Sequence, residues 1–233
     1  VPRFEAGWVT EGMLADATYG YSLACVGDVN GDGYSDVLVG APEYDNGESD
    51  EGAVFLFLGS HLGLGWIPLW WAESNQESAF LGVSVAGAGD VNGDGYPDAI
   101  VGAPGYTSTH ANEGAAFVWL SEPGGAPMGN PTNATWSGFG GQADARYGWS
   151  VAGGGDFNGD GFADVVVGAP HFDAGQTDEG AAFAYFGSAT GPSTTHDWFH
   201  GADFAYAEYG MSVAADGDFN GDGYCDVLVG APK

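Results

Sequence analysis

The sequence predicts an all-β chain, a β-propeller of about four blades with four strands each. Two observations carry this reading: one unit recurs four times, and every apolar run inside it is short. The nine residues Asp28-Val29-Asn30-Gly31-Asp32-Gly33-Tyr34-Ser35-Asp36 return in kind at Asp90, Asp156 and Asp218, at spacings of 62, 66 and 62 residues. That period is too regular for chance and too long for a helical solenoid repeat. No window keeps a helical apolar period. The runs are rich in Val, Phe and Tyr and bounded by Gly, Pro and Asp, as strands are.

Within each unit the elements follow one order. A Trp (Trp8, Trp70, Trp136, Trp198) lies twenty residues before the loop. Nine before it stands Tyr19-Gly20, Leu81-Gly82, Tyr147-Gly148 or Tyr209-Gly210, with Ser22, Ser84, Ser150 or Ser212 following. The loop joins this first strand to a second, Val37 to Val39, Ala99 to Val101, Val165 to Val167 and Val227 to Val229. These are unbroken apolar stretches, as for a strand buried on both faces. Gly40-Ala41-Pro42 and its counterparts at Gly102, Gly168 and Gly230 close it. Glu51-Gly52-Ala53, Glu113-Gly114-Ala115 and Glu179-Gly180-Ala181 open a third run, in which Phe55 and Phe57, Phe117 and Trp119, and Phe183 and Tyr185 alternate with smaller or differently facing residues. The four extra residues of one unit fall in Glu122 to Pro131, a Pro- and Gly-rich stretch suited to a surface loop.

The whole chain, 1–233, then reads as one domain: a closing strand in 1–20, units at 21–81, 82–147 and 148–209, and an incomplete unit at 210–233. The Glu-Gly-Ala strand of the last unit, due near position 241, lies beyond Lys233. Val1 to Tyr19 supplies a last-strand segment with Trp8. The last blade is therefore expected to be completed by the N-terminal strand or by a neighbouring subunit.

The loops carry the chemistry. Oxygen ligands at positions 1, 3, 5 and 9, with the backbone carbonyl of position 7, surround one hard cation at the distances calcium prefers. The first loop offers Asp28, Asn30, Asp32 and Asp36 with the Tyr34 carbonyl, and the second Asp90, Asn92, Asp94 and Asp98 with that of Tyr96. The third offers Asp156, Asn158, Asp160 and Asp164 with Phe162, and the fourth Asp218, Asn220, Asp222 and Asp226 with Tyr224. Three carboxylates in one loop repel one another, and a bound divalent ion removes that conflict. The expectation is four Ca2+ sites. An EF-hand would need a bidentate Glu at position 12 and flanking helices, but position 12 is Val39, Val101, Val167 or Val229. Zinc is disfavoured because no Cys or His group has ligand spacing, and magnesium seldom uses all-protein cages. The plain alternative is four Asp-rich turns that hold no metal.

These marks, aromatic-Gly before the loop, Asp-x-Asn-x-Asp-Gly-x-x-Asp within it and Gly-Ala-Pro after it, resemble the FG-GAP repeats of the integrin alpha-chain propeller and cover nearly the whole chain. The resemblance implies an extracellular β-propeller with calcium in hairpin loops on one rim, used in adhesion, ligand binding or surface scaffolding. Propellers of that family usually have seven blades, whereas this chain has material for about four.

Composition narrows the partners. Three Lys plus Arg against 32 Asp plus Glu give a net charge of −29, which argues against nucleic acid or an anionic membrane. Four calcium ions would reduce this only to about −21, so a solvated acidic surface remains. No run is long enough for a membrane-spanning helix. The chain begins with Val and shows no charged-then-apolar leader, which fits a removed leader or a fragment. Secretion or surface display follows mainly from the resemblance.

Cys25 and Cys225 hold different repeat positions, and either a disulfide or two buried free thiols fits them. Asn133-Ala134-Thr135 is a glycosylation sequon in a eukaryotic secretory setting. His61, His110, His171, His196 and His200 share no repeat position and sit in no nucleophile setting, so the chain is not expected to be an enzyme.

The leading expectation is a calcium-stiffened module whose rim loops meet a protein or glycan ligand at the cell surface. One alternative is a subunit that assembles with copies of itself, head to tail, into a filament. Another is a lectin, for which Trp66, Trp71, Trp119 and Trp149 are the candidates outside the repeat pattern.

Overall fold

The computed structural model describes residues 7–12, 14, 16–124 and 130–233. Most of Val1 to Thr10 and the centre of the Glu122 to Pro131 insertion lie outside them. Three antiparallel four-stranded sheets follow one another. The first is β1 (Ser22–Gly27), β2 (Asp36–Ala41), β3 (Ala53–Phe57) and β4 (Trp70–Glu73). The second is β5 (Ser84–Gly89), β6 (Asp98–Ala103), β7 (Ala115–Trp119) and β8 (Trp136–Phe139), and the third is β9 (Ser150–Gly155), β10 (Asp164–Ala169), β11 (Ala181–Tyr185) and β12 (Trp198–Gly201). A two-stranded sheet, β13 (Ser212–Gly217) and β14 (Asp226–Gly230), comes last. Each sheet pairs its strands in chain order, as a propeller blade does.

The first strands β1, β5, β9 and β13 pack side by side in that order, which puts them innermost and the fourth strands outermost. β1 and β13, at the two ends of the row, do not pack on each other in this way. Each first strand shifts register near its end, as between Cys25 and Gly27. Gly27 takes a φ of +82° there, a bulge conformation that favours glycine.

Burial explains the apolar second strands. Leu38, Val54 and Leu56 of the first sheet meet Ala99, Val101, Phe117 and Trp119 of the second; Ile100, Ala116 and Val118 in turn meet Val165, Val167 and Phe183 of the third. Alternate residues of a strand therefore face the preceding and the following sheet, and β3, β7 and β11 are buried along their whole length too.

The outer tryptophan locks each junction. Trp70 stands edge-on to Trp119 at 5.2 Å, and Trp136 edge-on to Tyr185 at 4.8 Å. Trp8 repeats the contact on Phe57 at 5.1 Å, and its Nε1 donates to the Gly65 carbonyl at 2.8 Å, as Trp136 Nε1 donates to that of Ser193 at 2.8 Å. The described part of the N-terminal segment thus sits on the free face of the first sheet, where the outer strand of a preceding blade would lie. It does so without forming a strand. The described residues of the expected closing strand thus lie against the first sheet and adopt no strand conformation.

Candidate metal loops and the frame that holds them

All four Asp-rich loops connect the first and second strands of their sheets, so they share one rim. In the first loop Asp28 accepts from the backbone N–H of Asp32 at 2.9 Å and of Gly33 at 2.6 Å. Asn30 Oδ1 accepts from Asp32 N–H, and Asn30 Nδ2 donates to Asp32 at 3.1 Å. Asp32 in turn accepts from Tyr34 N–H at 3.0 Å. The curl needs Gly31 at φ +75° and Gly33 at φ +94°. The same hydrogen bonds recur around Asp90, Asn92, Asp94 and Tyr96 and around Asp156, Asn158, Asp160 and Phe162; around Asp218, Asn220, Asp222 and Tyr224 the backbone N–H bonds recur without the Asn Nδ2 bond. Loop folding thus gathers positions 1, 3 and 5.

Position 9 behaves differently. Asp36, Asp98 and Asp164 are fully buried. One oxygen of each accepts from the N–H of loop position 2: Val29 at 2.9 Å, Val91 at 2.9 Å and Phe157 at 2.6 Å. The other accepts from the chain just past the third strand: Gly59 at 2.7 Å, Ser121 at 2.7 Å and Gly187 at 2.8 Å. Asp226 keeps only the first kind of bond, to Phe219 N–H at 2.8 Å. Among the described residues no three His, Cys, Asp or Glu side chains form a ready-made metal cluster.

The donor set still fits a hard cation in its chemistry: every side-chain donor is an oxygen, and among the described residues no cationic side chain answers the loop carboxylates. The described ion pairs are His110 with Glu113 and Lys233 with Glu208, neither in an Asp-rich loop. Burial first, then the nearby charges of Asp94 and Asp90, push the Asp98 carboxyl up to about 7 against its backbone hydrogen bonds. The same causes raise Asp164 to about 6 and also raise Asp36. Exposed Asp218 is instead lowered by the N–H groups of Gly223 and Gly221.

Neighbouring loops are chained. The position-7 rings of Tyr96, Phe162 and Tyr224 lie on Gly31, Gly93 and Gly159 of the preceding loop, where a Cβ would collide. Position-8 N–H groups donate backwards, Ala163 to the Asp90 carbonyl at 3.0 Å and Cys225 to that of Asp156 at 2.9 Å. Pro97 at the equivalent position has no N–H to give.

The other repeated residues hold the opposite end. A Cβ on Gly40, Gly102 or Gly168 would strike the carbonyl of Gly82, Gly148 or Gly210 in the next unit. Ser22 and Ser150 donate to the carbonyls of Gly82 and Gly210 at 2.7 and 2.8 Å. Buried Glu113 accepts from the N–H groups of Ser108, Thr109, His110 and Gly141. Burial raises its carboxyl, and those donors outweigh burial and leave it below its usual range. Glu51 accepts from Asn46 and Asn75 N–H and is raised, by burial first and also by Glu73. Sequence reasoning marked these glutamates as a repeat position but missed their role as buried clamps; their recurrence just before a strand was the available signal.

The model of the FG-GAP repeat matches residues 19–57, 81–119, 147–185 and 209–233. The chain is 33% identical to integrin alpha pat-2 of Caenorhabditis elegans over 92% of its length. The chain belongs to the FG-GAP repeat family. It is also 32% identical to mouse integrin alpha-IIb over 94% of its length, and 38% identical to integrin alpha-5 of Xenopus laevis over 48%. It spans 18%, 20% and 11% of those three relatives, respectively. The first three matched segments run from the pair Tyr19-Gly20, Leu81-Gly82 or Tyr147-Gly148 to the end of the third strand, so the loop, the Gly-Ala-Pro turn and the buried Glu fall in one unit; the fourth covers the loop and the Gly-Ala-Pro turn.

The remaining candidates scatter. Cys25 is exposed and Cys225 half-buried, and both are free thiols; neither a disulfide nor full burial describes them. Trp119 is wholly buried in a junction, Trp66 and Trp71 are exposed, and Trp149 is half-buried. No helix of the described residues is long and apolar enough to cross a membrane.

Proposed function

We propose that this chain is a non-enzymatic, calcium-stabilised FG-GAP propeller module acting at the cell surface or outside the cell, in adhesion or scaffolding through a protein ligand. The observation that supports it most is the set of four hydrogen-bonded loops, each carrying three aspartates and an asparagine with no cationic side chain among the described residues to balance them. Asp28, Asn30 and Asp32 with their three sets of counterparts would hold the ion together with the position-9 aspartates and position-7 carbonyls. Bound calcium would supply positive charge to a rim that otherwise repels itself, and because it binds only the folded loop it would stabilise the fold by linkage. The relatives are integrin alpha chains, which favours an adhesion role over the lectin alternative. Calorimetry with calcium and with chelator tests the reading: a melting temperature that ignores calcium would sink it.

A second reading, head-to-tail self-assembly, draws on the last sheet. Leu228 is 53% exposed, whereas its counterparts Leu38, Ile100 and Val166 are 0% exposed. Phe219 is likewise exposed where Val29 and Val91 are buried. β14 also has one unpaired edge. Such an edge and face accept another blade. Light scattering on the intact chain and on a form lacking residues 1–10 separates the readings: assemblies that survive the deletion contradict this one.

A further inference from the structure

We propose that the cavity at the end of the inner strands opposite the Asp-rich loops binds a peptide carboxylate flanked by apolar side chains, with Arg146 as its counter-charge. The proposal deepens the protein-ligand reading above and rests on it. The cavity has a volume of about 480 Å³. Its walls combine a repeated frame with positions that differ in every unit. Pro42, Pro104 and Pro170 of the Gly-Ala-Pro turns are the frame. Between them, the residue before the repeated X-Gly pair is Phe80 in the second unit and Arg146 in the third, and the residue after it is Tyr21, Val83, Trp149 or Met211. A scaffold that repeats its prolines and varies the side chains between them is built to present one particular surface.

Arg146 gives that surface its sign. It is the one arginine among the described residues, in a chain with 32 Asp and Glu, yet its guanidinium makes no hydrogen bond, ion pair or ring contact with any described residue. It is half-buried in the cavity wall. The third unit places Trp149 and His171 in the same wall, and His171 N–H donates to the carbonyl of Ala145 at 3.2 Å, tying the Arg146 turn to the Gly-Ala-Pro turn. Glu43, from the first unit, is the wall's carboxylate and does not pair with Arg146. An unpaired guanidinium beside an indole, in an apolar cavity, matches a carboxylate that it can grip with two parallel hydrogen bonds. The few polar groups favour peptide over sugar, because ring hydroxyls entering these walls would lose water without finding partners.

The test uses the intact chain in calcium buffer with two capped tripeptides, acetyl-Phe-Glu-Phe-amide and acetyl-Phe-Gln-Phe-amide, titrated by calorimetry. Arginine side-chain resonances give a second readout, since the chain has only Arg3 and Arg146. The glutamate peptide should bind at least about tenfold tighter than its glutamine twin and shift the Arg146 resonance. Arg146→Gln should erase the preference, Arg146→Lys should keep part of it, and Trp149→Ala should weaken both peptides alike. Equal affinities, no binding at about 10 mM peptide, or a preference that survives Arg146→Gln would overturn the proposal. Tighter binding of glucuronate than of the glutamate peptide, lost with Arg146→Gln, would overturn the peptide assignment in favour of an acidic sugar. The calcium-dependent melting shift of the same samples reports separately on the calcium-module reading.

Discussion

The first three sheets and the last hairpin are built from the same repeat, yet they differ in what burial does for them. Leu38 and Leu228 occupy one repeat position on one kind of strand, and only Leu38 is covered. Trp70 and Trp136 are buried at junctions, while Trp198 is 38% exposed. Core character in this fold therefore belongs to the junction between two sheets. A repeat becomes a packed blade only when a following blade covers it, as expected of an architecture whose stability is largely a sum of neighbour contacts.

Substitution at that shared position should give the largest contrast. Leu38→Ala removes a fully buried side chain and should cost about 2–5 kcal/mol, whereas Leu228→Ala should stay within about 0.5 kcal/mol. Equal losses in urea unfolding would mean that the last hairpin is covered in solution. Next comes the glycine of the Gly-Ala-Pro turn. Gly102→Ala drives a Cβ into the Gly148 carbonyl and should cost about 1–3 kcal/mol. Gly230→Ala meets chiefly its own sheet's Ser212 side chain and should cost less. The buried glutamates sharpen the comparison within complete blades. Glu113→Gln should destabilise more than Glu51→Gln, because Glu113 accepts from four backbone N–H groups that a neutral amide satisfies less well.

The smallest effect is the pH dependence of the metal-free chain. Asp98 and Asp164 are raised to about 7 and about 6 in the fold. A raised carboxyl favours the folded state while protonated, so that contribution is complete below the usual carboxylate range and is lost as pH rises through 6 to 7. Melting in chelator should therefore fall from pH 4 to pH 8, and Asp98→Asn should flatten the fall. A chelated melting temperature that rises over this range would contradict the assignment.

Much of this was legible in the chain itself. The spacing of the Asp-rich loops placed the blades, and the unbroken Val-rich runs announced second strands buried on both faces, as β2, β6 and β10 are. The third strands β3, β7 and β11 were harder: in β3, Phe55 and Phe57 suggested alternation while Val54 and Leu56 are just as buried against the next sheet. Loop aspartates looked like one ligand set. Folding divides them: positions 1, 3 and 5 stay in the loop, and position 9 of the first three loops turns inward to bridge the N–H of its own loop's position 2 to one distant N–H group. That division depends on Gly59, Ser121 and Gly187, each 23 residues downstream of its aspartate, and no local pattern reveals it. The Arg146 cavity was equally hidden, since its walls come from separate units brought together only by the side-by-side packing of inner strands.

The most direct test of the central claim is native mass spectrometry of the intact chain in calcium, followed by thermal melting with and without chelator. The account predicts up to four bound calcium ions and a melting temperature that falls when they are removed. Each site would contribute about 2.7 kcal/mol at a free calcium concentration of 100 times its Kd. A chain that carries no calcium, or melts at the same temperature in chelator, would contradict it.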